Sequence, residues 1–270
     1  MKELKEKIFL LNFKNPGKAV ITGASAGIGL SFAKKLAAYG FDLLLIARRK
    51  ERLQEIATQL ESQYSIQCEI IPTDLAIVEN IEKVADGIKQ ISNLDILINN
   101  AGFATKGYFA DVPIEKDMRM IHVHMTASIQ FTYAALQIMR KRKQGVIINV
   151  SSLGAFALTP GNVLYDATKS FLNTLSENLR LEVRGMGIKI QALCPGFTRT
   201  EFHEVGDLQN FDRSSVPDYL WMTPDNVVSQ SLKALGKNRK TIFIPGWRHR
   251  FAKWLIMNNS FVRNAIQKKF

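Results

Sequence analysis

Tyr165 and Lys169 stand four residues apart, so on a helix they share a face and reach the same ligand. A phenol loses its proton near pH 10, but beside an ammonium its phenolate is stabilised and it can hand a proton to a developing alkoxide. This spacing is common on helices and gains meaning only from its surroundings. Two hydroxyls, Ser151 and Ser152, follow the apolar run 146–150, and the second precedes Tyr165 by 13 residues. A serine there can hold a carbonyl oxygen in place for attack. Far upstream, the run 19–22 passes straight into Gly23-Ala24-Ser25-Ala26-Gly27-Ile28-Gly29 and then a helical pattern over 30–39. Glycines let the chain turn sharply and bring backbone N–H groups close to a phosphate, while the helix start adds unpaired donors and the positive end of its dipole. With the right frame around it this is a dinucleotide-binding turn; without one it is a plain strand-to-helix turn.

The frame follows from hydrophobic periodicity. Short apolar runs at 19–22, 43–47, 67–71, 96–99, 146–150, 188–193 and 241–244 alternate with helical patterns, and most have the bare apolar character of strands buried on both faces. In the stretch 50–61, Leu53, Ile56, Ala57 and Leu60 fall on one face, and 114–142 is long enough for two helices in succession. Right-handed crossovers then give an α/β fold, a doubly wound, Rossmann-like, seven-stranded parallel sheet in a single domain. No repeat or linker divides it. The expected boundaries are an N-terminal extension over 1–17, the domain over 18–245 and a basic amphipathic C-terminal extension over 246–270.

The spacing Thr22-Gly23-x-x-x-Gly27-x-Gly29 resembles that of the short-chain dehydrogenase/reductase family. Further matches come in family order: Asp74-Leu75 after the third strand, Asn99-Asn100-Ala101-Gly102 after the fourth, Ser152 after the fifth, Tyr165-x-x-x-Lys169 on the next helix and Pro195-Gly196 after the sixth. The resemblance spans residues 18 to about 245. It implies hydride transfer between a nicotinamide and a ketone or secondary alcohol, with Tyr165 as acid/base, Lys169 lowering its pKa and bonding the nicotinamide ribose, and Ser152 orienting the carbonyl. It also implies that Gly23, Ser25, Ala26, Gly27, Ile28 and Gly29 receive the pyrophosphate, and that Asp74 and Leu75 flank the adenine. Asn100, Ala101 and Gly102 then meet the adenosine ribose, Pro195 and Gly196 line the cofactor, and Thr198 or Thr200 meets the nicotinamide amide and phosphates. Asn99 is structural in this scheme. Such a resemblance fixes reaction type far better than substrate.

Where an NAD-binding sequence carries an acidic residue after the second strand, this one has Ala47-Arg48-Arg49. A guanidinium fork holds a 2′-phosphate that a carboxylate repels, so the expected cofactor is NADP(H). The plainer alternative is two solvated charges opening a surface helix. One departure from the family pattern stands out. An asparagine that helps order a water chain to the active-site lysine is expected where the sequence runs Ile121-His122-Val123-His124-Met125. His124 either replaces it as a water-holding or relay group, disturbs the relay, or is a satisfied core histidine under a shifted alignment. The second possibility makes a catalytically weakened cofactor-binding scaffold the alternative function.

The formal charge of +12 over 270 residues permits an anionic partner, but it is unevenly spread. No acidic residue follows Asp225, whereas ten basic ones do; taking those from the 36 leaves 26 against 24 acidic residues, a near-neutral body. No nucleic-acid recognition motif accompanies the basic segment. Cys68 and Cys194, with four scattered histidines, suggest neither a disulfide framework nor a metal site, and the expectation is a reduced, cytoplasmic protein without a membrane span. Phe197, Phe202, Phe211, Tyr219 and Trp221 lie in the segment that covers substrate in the family. They either form an apolar lid for a lipophilic carbonyl, such as a 3-oxoacyl chain, a steroid-like ketone or an aromatic aldehyde, or pack their loop onto the body. Beyond residue 246, Trp247, Phe251, Trp254, Leu255, Ile256, Phe261, Val262, Ile266 and Phe270 interleave with basic residues. That pattern docks on the domain or a partner subunit, or lies peripherally on an anionic membrane. The resemblance further implies a homodimer or homotetramer paired through helices spanning about 115–141 and 162–183.

Overall fold

Side chains alternate along strand β1 (Lys18–Thr22), and this splits the interior into two layers. Ala19 and Ile21 enter one with Phe32, Leu36, Leu43 and Leu45; Val20 enters the other with Leu44, Ile46, Ile81, Leu97 and Phe131. The computed structural model describes residue 13 and residues 15–157, 159–204, 206–209, 211–236 and 241–258. Strands β2 (Asp42–Ala47), β3 (Cys68–Pro72), β4 (Leu94–Asn99), β5 (Gly145–Val150), β6 (Ile188–Leu193) and β7 (Ile242–Phe243) complete one parallel sheet in the order β3-β2-β1-β4-β5-β6-β7. Each stands where an apolar run is found, and β4 and β5 are buried along their whole length. β7 is shorter than the run 241–244 because only Ile242 and Phe243 pair with β6 at this edge of the sheet.

Helices α1 (Gly27–Ala38), α2 (Lys50–Tyr64) and α7 (Pro224–Gly236) close the first layer, and Leu53, Ile56, Ala57 and Leu60 form the buried face of α2. On the other side lie α3 (Val78–Lys89), α5 (Ala127–Arg142) and α6 (Val163–Glu182). The stretch 114–142 is continuous rather than two helices joined by a loop. α4 (Ile114–Ile121) passes into α5 through a π-helical turn at His122–Thr126, where the N–H of Ala127 bonds the carbonyl of His122. The extra residue in that turn directs Val123 and His124 inward.

The order of the strands reverses between β1 and β4, which opens a crevice at their carboxyl ends. Thr22 fastens it: its Oγ1 accepts the N–H groups of Asn100 and Ala101, each at 2.9 Å. At the opposite end of the sheet, the buried carboxylate of Asp95 accepts from Gly17 N–H (2.7 Å), Arg142 (2.7 Å) and Gln144 (3.1 Å). Helix α8 (Trp247–Asn258) begins the C-terminal extension; residues 259–270 and most of the N-terminal extension lie outside the described residues. Among the described residues no helix is long and apolar enough to cross a membrane.

Candidate active site

The glycine turn leaves β1 and ends on the first turn of α1, which holds no acidic residue and has no side-chain cap. Its N–H groups therefore remain available to an anion. A Cβ at Gly29 would lie 2.3 Å from the carbonyl oxygen of Gly23, so only glycine permits this closeness, and Gly27 takes φ +55° with Thr200 packed over it. These features fit a dinucleotide pyrophosphate. The amide nitrogen of Asn100 donates to the carbonyls of Thr22 (2.9 Å) and Gly23 (3.2 Å) and so shapes the turn. Asn99 reaches Asn149 (2.8 Å) and Thr132 (3.1 Å) inside the core, which is a structural position.

Of the two arginines, Arg49 comes to the turn. Its Nη2 donates to Ser25 Oγ at 3.0 Å, and its Nη1 pairs with Glu201 of the loop after β6 at 2.9 Å. Arg48 instead lies toward Asp74. Burial opposes the charge of Asp74, but the Ala76 N–H, the Arg119 guanidinium and the charge of Arg48 hold its carboxyl below the usual range. Leu75 beside it is buried in the second core layer.

The reacting groups gather at the carboxyl end of β5. Ser152 accepts Gly154 N–H at 3.0 Å and hydrogen-bonds the Tyr165 phenol, whereas Ser151 is buried and donates to the Lys169 carbonyl at 2.8 Å. Leu153 N–H donates to the Pro195 carbonyl at 2.8 Å, tying the serine loop to the Pro195-Gly196 segment. Lys169 is buried, with Nζ donating to the Val150 carbonyl at 3.1 Å and lying 5.7 Å from the centre of the Tyr165 ring. Burial pushes the phenol up to about 12, against the Ser152 hydrogen bond and with the Asp166 charge adding to the rise. Burial also pulls Lys169 down to about 8.

His124 stands beside these groups, its ring 5.9 Å from that of Tyr165. Both ring nitrogens meet protein: Phe103 N–H reaches Nε2 at 3.3 Å and Thr168 Oγ1 lies 2.9 Å from Nδ1. The Thr168 hydroxyl donates to the Tyr165 carbonyl at 2.8 Å, so its oxygen accepts from Nδ1–H, and the network assigns the neutral Nδ1–H tautomer. Burial and the Lys169 charge keep the imidazole well below its ordinary pKa. A Cβ at Gly102 would lie 2.6 Å from His124 Nε2 and 3.5 Å from Lys169 Nζ, so Gly102 must stay bare beside both.

The loop after β6 covers this floor. Phe197, Phe211 and Trp221 cluster around His203, and Phe202 reaches to 6.1 Å from the Tyr165 ring, while Tyr219 points outward. The rings thus pack the loop and also bring one aromatic to the reacting phenol. Thr198 is buried and bonds the Gly196 carbonyl, and Thr200 caps the short turn Glu201–His203. Three residues escaped the sequence reading. Thr168 fixes His124. Asp166 accepts from Thr159 Oγ1 at 2.8 Å and is raised by burial to about 6. Nδ1 of His203 is buried without a hydrogen-bond partner among the described residues. Position next to Tyr165 was the only signal for Asp166. Among the described residues no three metal-ligand side chains gather as a metal site would require.

Comparison with known proteins agrees with this geometry. The family model for short chain dehydrogenases matches residues 17–208. The very-long-chain 3-oxoacyl-CoA reductase of Anas platyrhynchos is 31% identical over 258 residues, 93% of this chain and 78% of that protein. A short-chain dehydrogenase from Sphingobium yanoikuyae, solved with NADPH, superposes with a TM-score of 0.80 at 33% identity, covering 92% of this chain and 93% of the other. A bulky-bulky ketone specific alcohol dehydrogenase from Comamonas testosteroni gives 0.77 at 28% identity, with 92% and 94% covered.

Proposed function

This chain belongs to the short-chain dehydrogenase family, and from that footing we propose that it is an NADP(H)-dependent oxidoreductase acting on a lipophilic ketone or the corresponding secondary alcohol. The observation that carries the reading is the meeting of Ser152, Tyr165 and buried Lys169 opposite the uncapped start of α1. The bound nicotinamide supplies or accepts the hydride. Ser152 Oγ holds the carbonyl oxygen, and Tyr165 Oη gives that oxygen its proton as negative charge develops there. Lys169 lends positive charge and holds the cofactor ribose. His124, fixed as the Nδ1–H tautomer, positions Tyr165 through Thr168 and does not relay the proton of the reaction.

Arg49 at Ser25 of the glycine turn, and the absence of an acidic residue directly after β2, support NADP(H) over NAD(H), since a guanidinium would hold a 2′-phosphate that a carboxylate repels. The likeness to a 3-oxoacyl-CoA reductase and to an enzyme for bulky ketones supports a 3-oxoacyl or steroid-like substrate, as does the aromatic loop. Ile129 and Tyr133 on α5 and Leu181 on α6 are exposed, which supports pairing of subunits through these helices. Both cysteines are free thiols, in keeping with a cytoplasmic, reducing setting. The test is turnover of 3-oxoacyl thioesters, steroid ketones and bulky aryl ketones with NADPH and with NADH. Oxidation of NADPH by at least one class, with NADH the poorer donor, is expected; no turnover of any, or a clear preference for NADH, overturns the reading.

A further inference from the structure

Helix α8 is apolar on two sides. The side toward the body carries buried His249, whose ring nitrogens lie 3.1 and 2.9 Å from the carbonyl oxygens of Pro245 and Leu220, with half-buried Ala252 and Ile256 in line with it. The other side carries Trp247, Phe251 and Trp254, one helical turn apart, and these are 66%, 55% and 57% exposed. Phe251 and Trp254 stack at 5.9 Å, and Met257 lies exposed beyond them. Tyr219 of the substrate-side loop extends the patch under the guanidinium of Arg248. A contiguous aromatic stripe is not the scattered exposure of an ordinary surface.

Charge decides what covers it. Arg248 and Arg250 flank the stripe, and no acidic residue follows Asp225 anywhere in the chain. A second copy of the helix, docked face to face, would set guanidinium against guanidinium with no carboxylate on the helix to pair them. An anionic lipid surface offers phosphates to the arginines and a headgroup–acyl boundary in which tryptophan rings are at home. Residues 259–270, outside the described ones, carry the same mixture: Phe261, Val262, Ile266 and Phe270 among Arg263, Lys268 and Lys269. We propose that the outer face of α8 docks the protein peripherally on an anionic bilayer, with the helix in the plane of the surface, its aromatic stripe in the boundary region and its arginines at lipid phosphates. Docking in this way brings the substrate-side loop to the membrane through Tyr219, and it stands independently of the reaction.

The test is co-sedimentation of the full chain with vesicles of phosphatidylcholine alone and of phosphatidylcholine mixed with phosphatidylserine, together with tryptophan emission. The protein is expected to partition onto the mixed vesicles, less so in high salt, with a blue-shifted emission. Replacing Trp247, Phe251 and Trp254 together by Ala should lower that partitioning about tenfold or more. Arg248→Gln and Arg250→Gln should each lower it about fivefold. Trp247, Phe251 and Trp254 are exposed, so thermal unfolding and reductase turnover of the triple variant should match the wild type and separate lost docking from lost folding. Absence of binding to the mixed vesicles overturns the proposal, as does equal binding to both vesicle types or undiminished binding by the triple variant. So does a wild-type dimer that the triple variant dissociates while neither protein binds lipid, which would assign the stripe to a second copy.

Discussion

Burial acts in opposite senses on the two titrating groups of the site, because the charged form is the ammonium in one and the phenolate in the other. Lys169 is lowered to about 8 and Tyr165 raised to about 12, so the phenol stays a proton donor across the working range while the lysine charge is lost above pH 8. For carbonyl reduction, kcat/KM should therefore be level below that pH and fall about tenfold per unit above it. Lys169→Met should be slow and lack this limb; a wild-type profile flat to pH 10 would refute the role given to Lys169. Asp166 titrates on the other side of neutrality. Its folded pKa of about 6 lies above its ordinary value of 3.8, so the protonated form favours the fold. That contribution is complete below about pH 4 and is lost as pH rises through 6. Thermal unfolding of wild type and Asp166→Asn should thus diverge between these pH values, the wild type losing ground as pH rises. The shared face of Tyr165 and Lys169 was legible in the sequence, since spacing on a helix fixes which face a residue takes, whereas Ser152 was set apart from Ser151 only by the family resemblance. The division of labour between Arg48 and Arg49 was not legible, because it depends on Glu201 and Asp74, which only the fold brings near.

At the scale of elements, the strand starts, the face of α2 and the glycine turn all followed from periodicity and local stereochemistry. The π-helical turn at His122–Thr126 did not, because its dihedrals are helical and the contacts of His124 with Phe103 and Thr168 that accompany it are tertiary. The loop after β6 was legible as an aromatic segment, but whether its rings packed the loop or faced the site depended on contacts across the fold, and they do both. Tertiary context also explains Asp95, the one charged residue of β4. Its carboxylate joins the start of β1 to the end of α5 through Gly17 and Arg142. Asp95→Ala should cost about 3 kcal/mol, since it leaves the Gly17 N–H and the Arg142 guanidinium without their acceptor. Urea unfolding checks this, and a loss within error of zero would mean that the cluster does not hold the sheet.

Across the whole molecule, the charge separates two regions with different physical demands. The near-neutral body carries Arg48 and Arg49 just after β2, with Arg49 at the glycine turn, and the acid-free C-terminal segment carries its cations on and beyond a helix with an exposed aromatic stripe. The strand order that reverses between β1 and β4 is what brings a turn near residue 25 and a tyrosine at 165 to one crevice. That closeness is the central claim: a phosphate-binding turn and a proton-donating phenol serve one reaction. The most direct measurement is NADPH-dependent reduction of a 3-oxoacyl thioester or bulky ketone by Tyr165→Phe, alongside NADPH binding by fluorescence. Turnover should fall by about 10²–10⁴-fold or more with cofactor affinity unchanged; a variant that turns over at the wild-type rate would contradict the account.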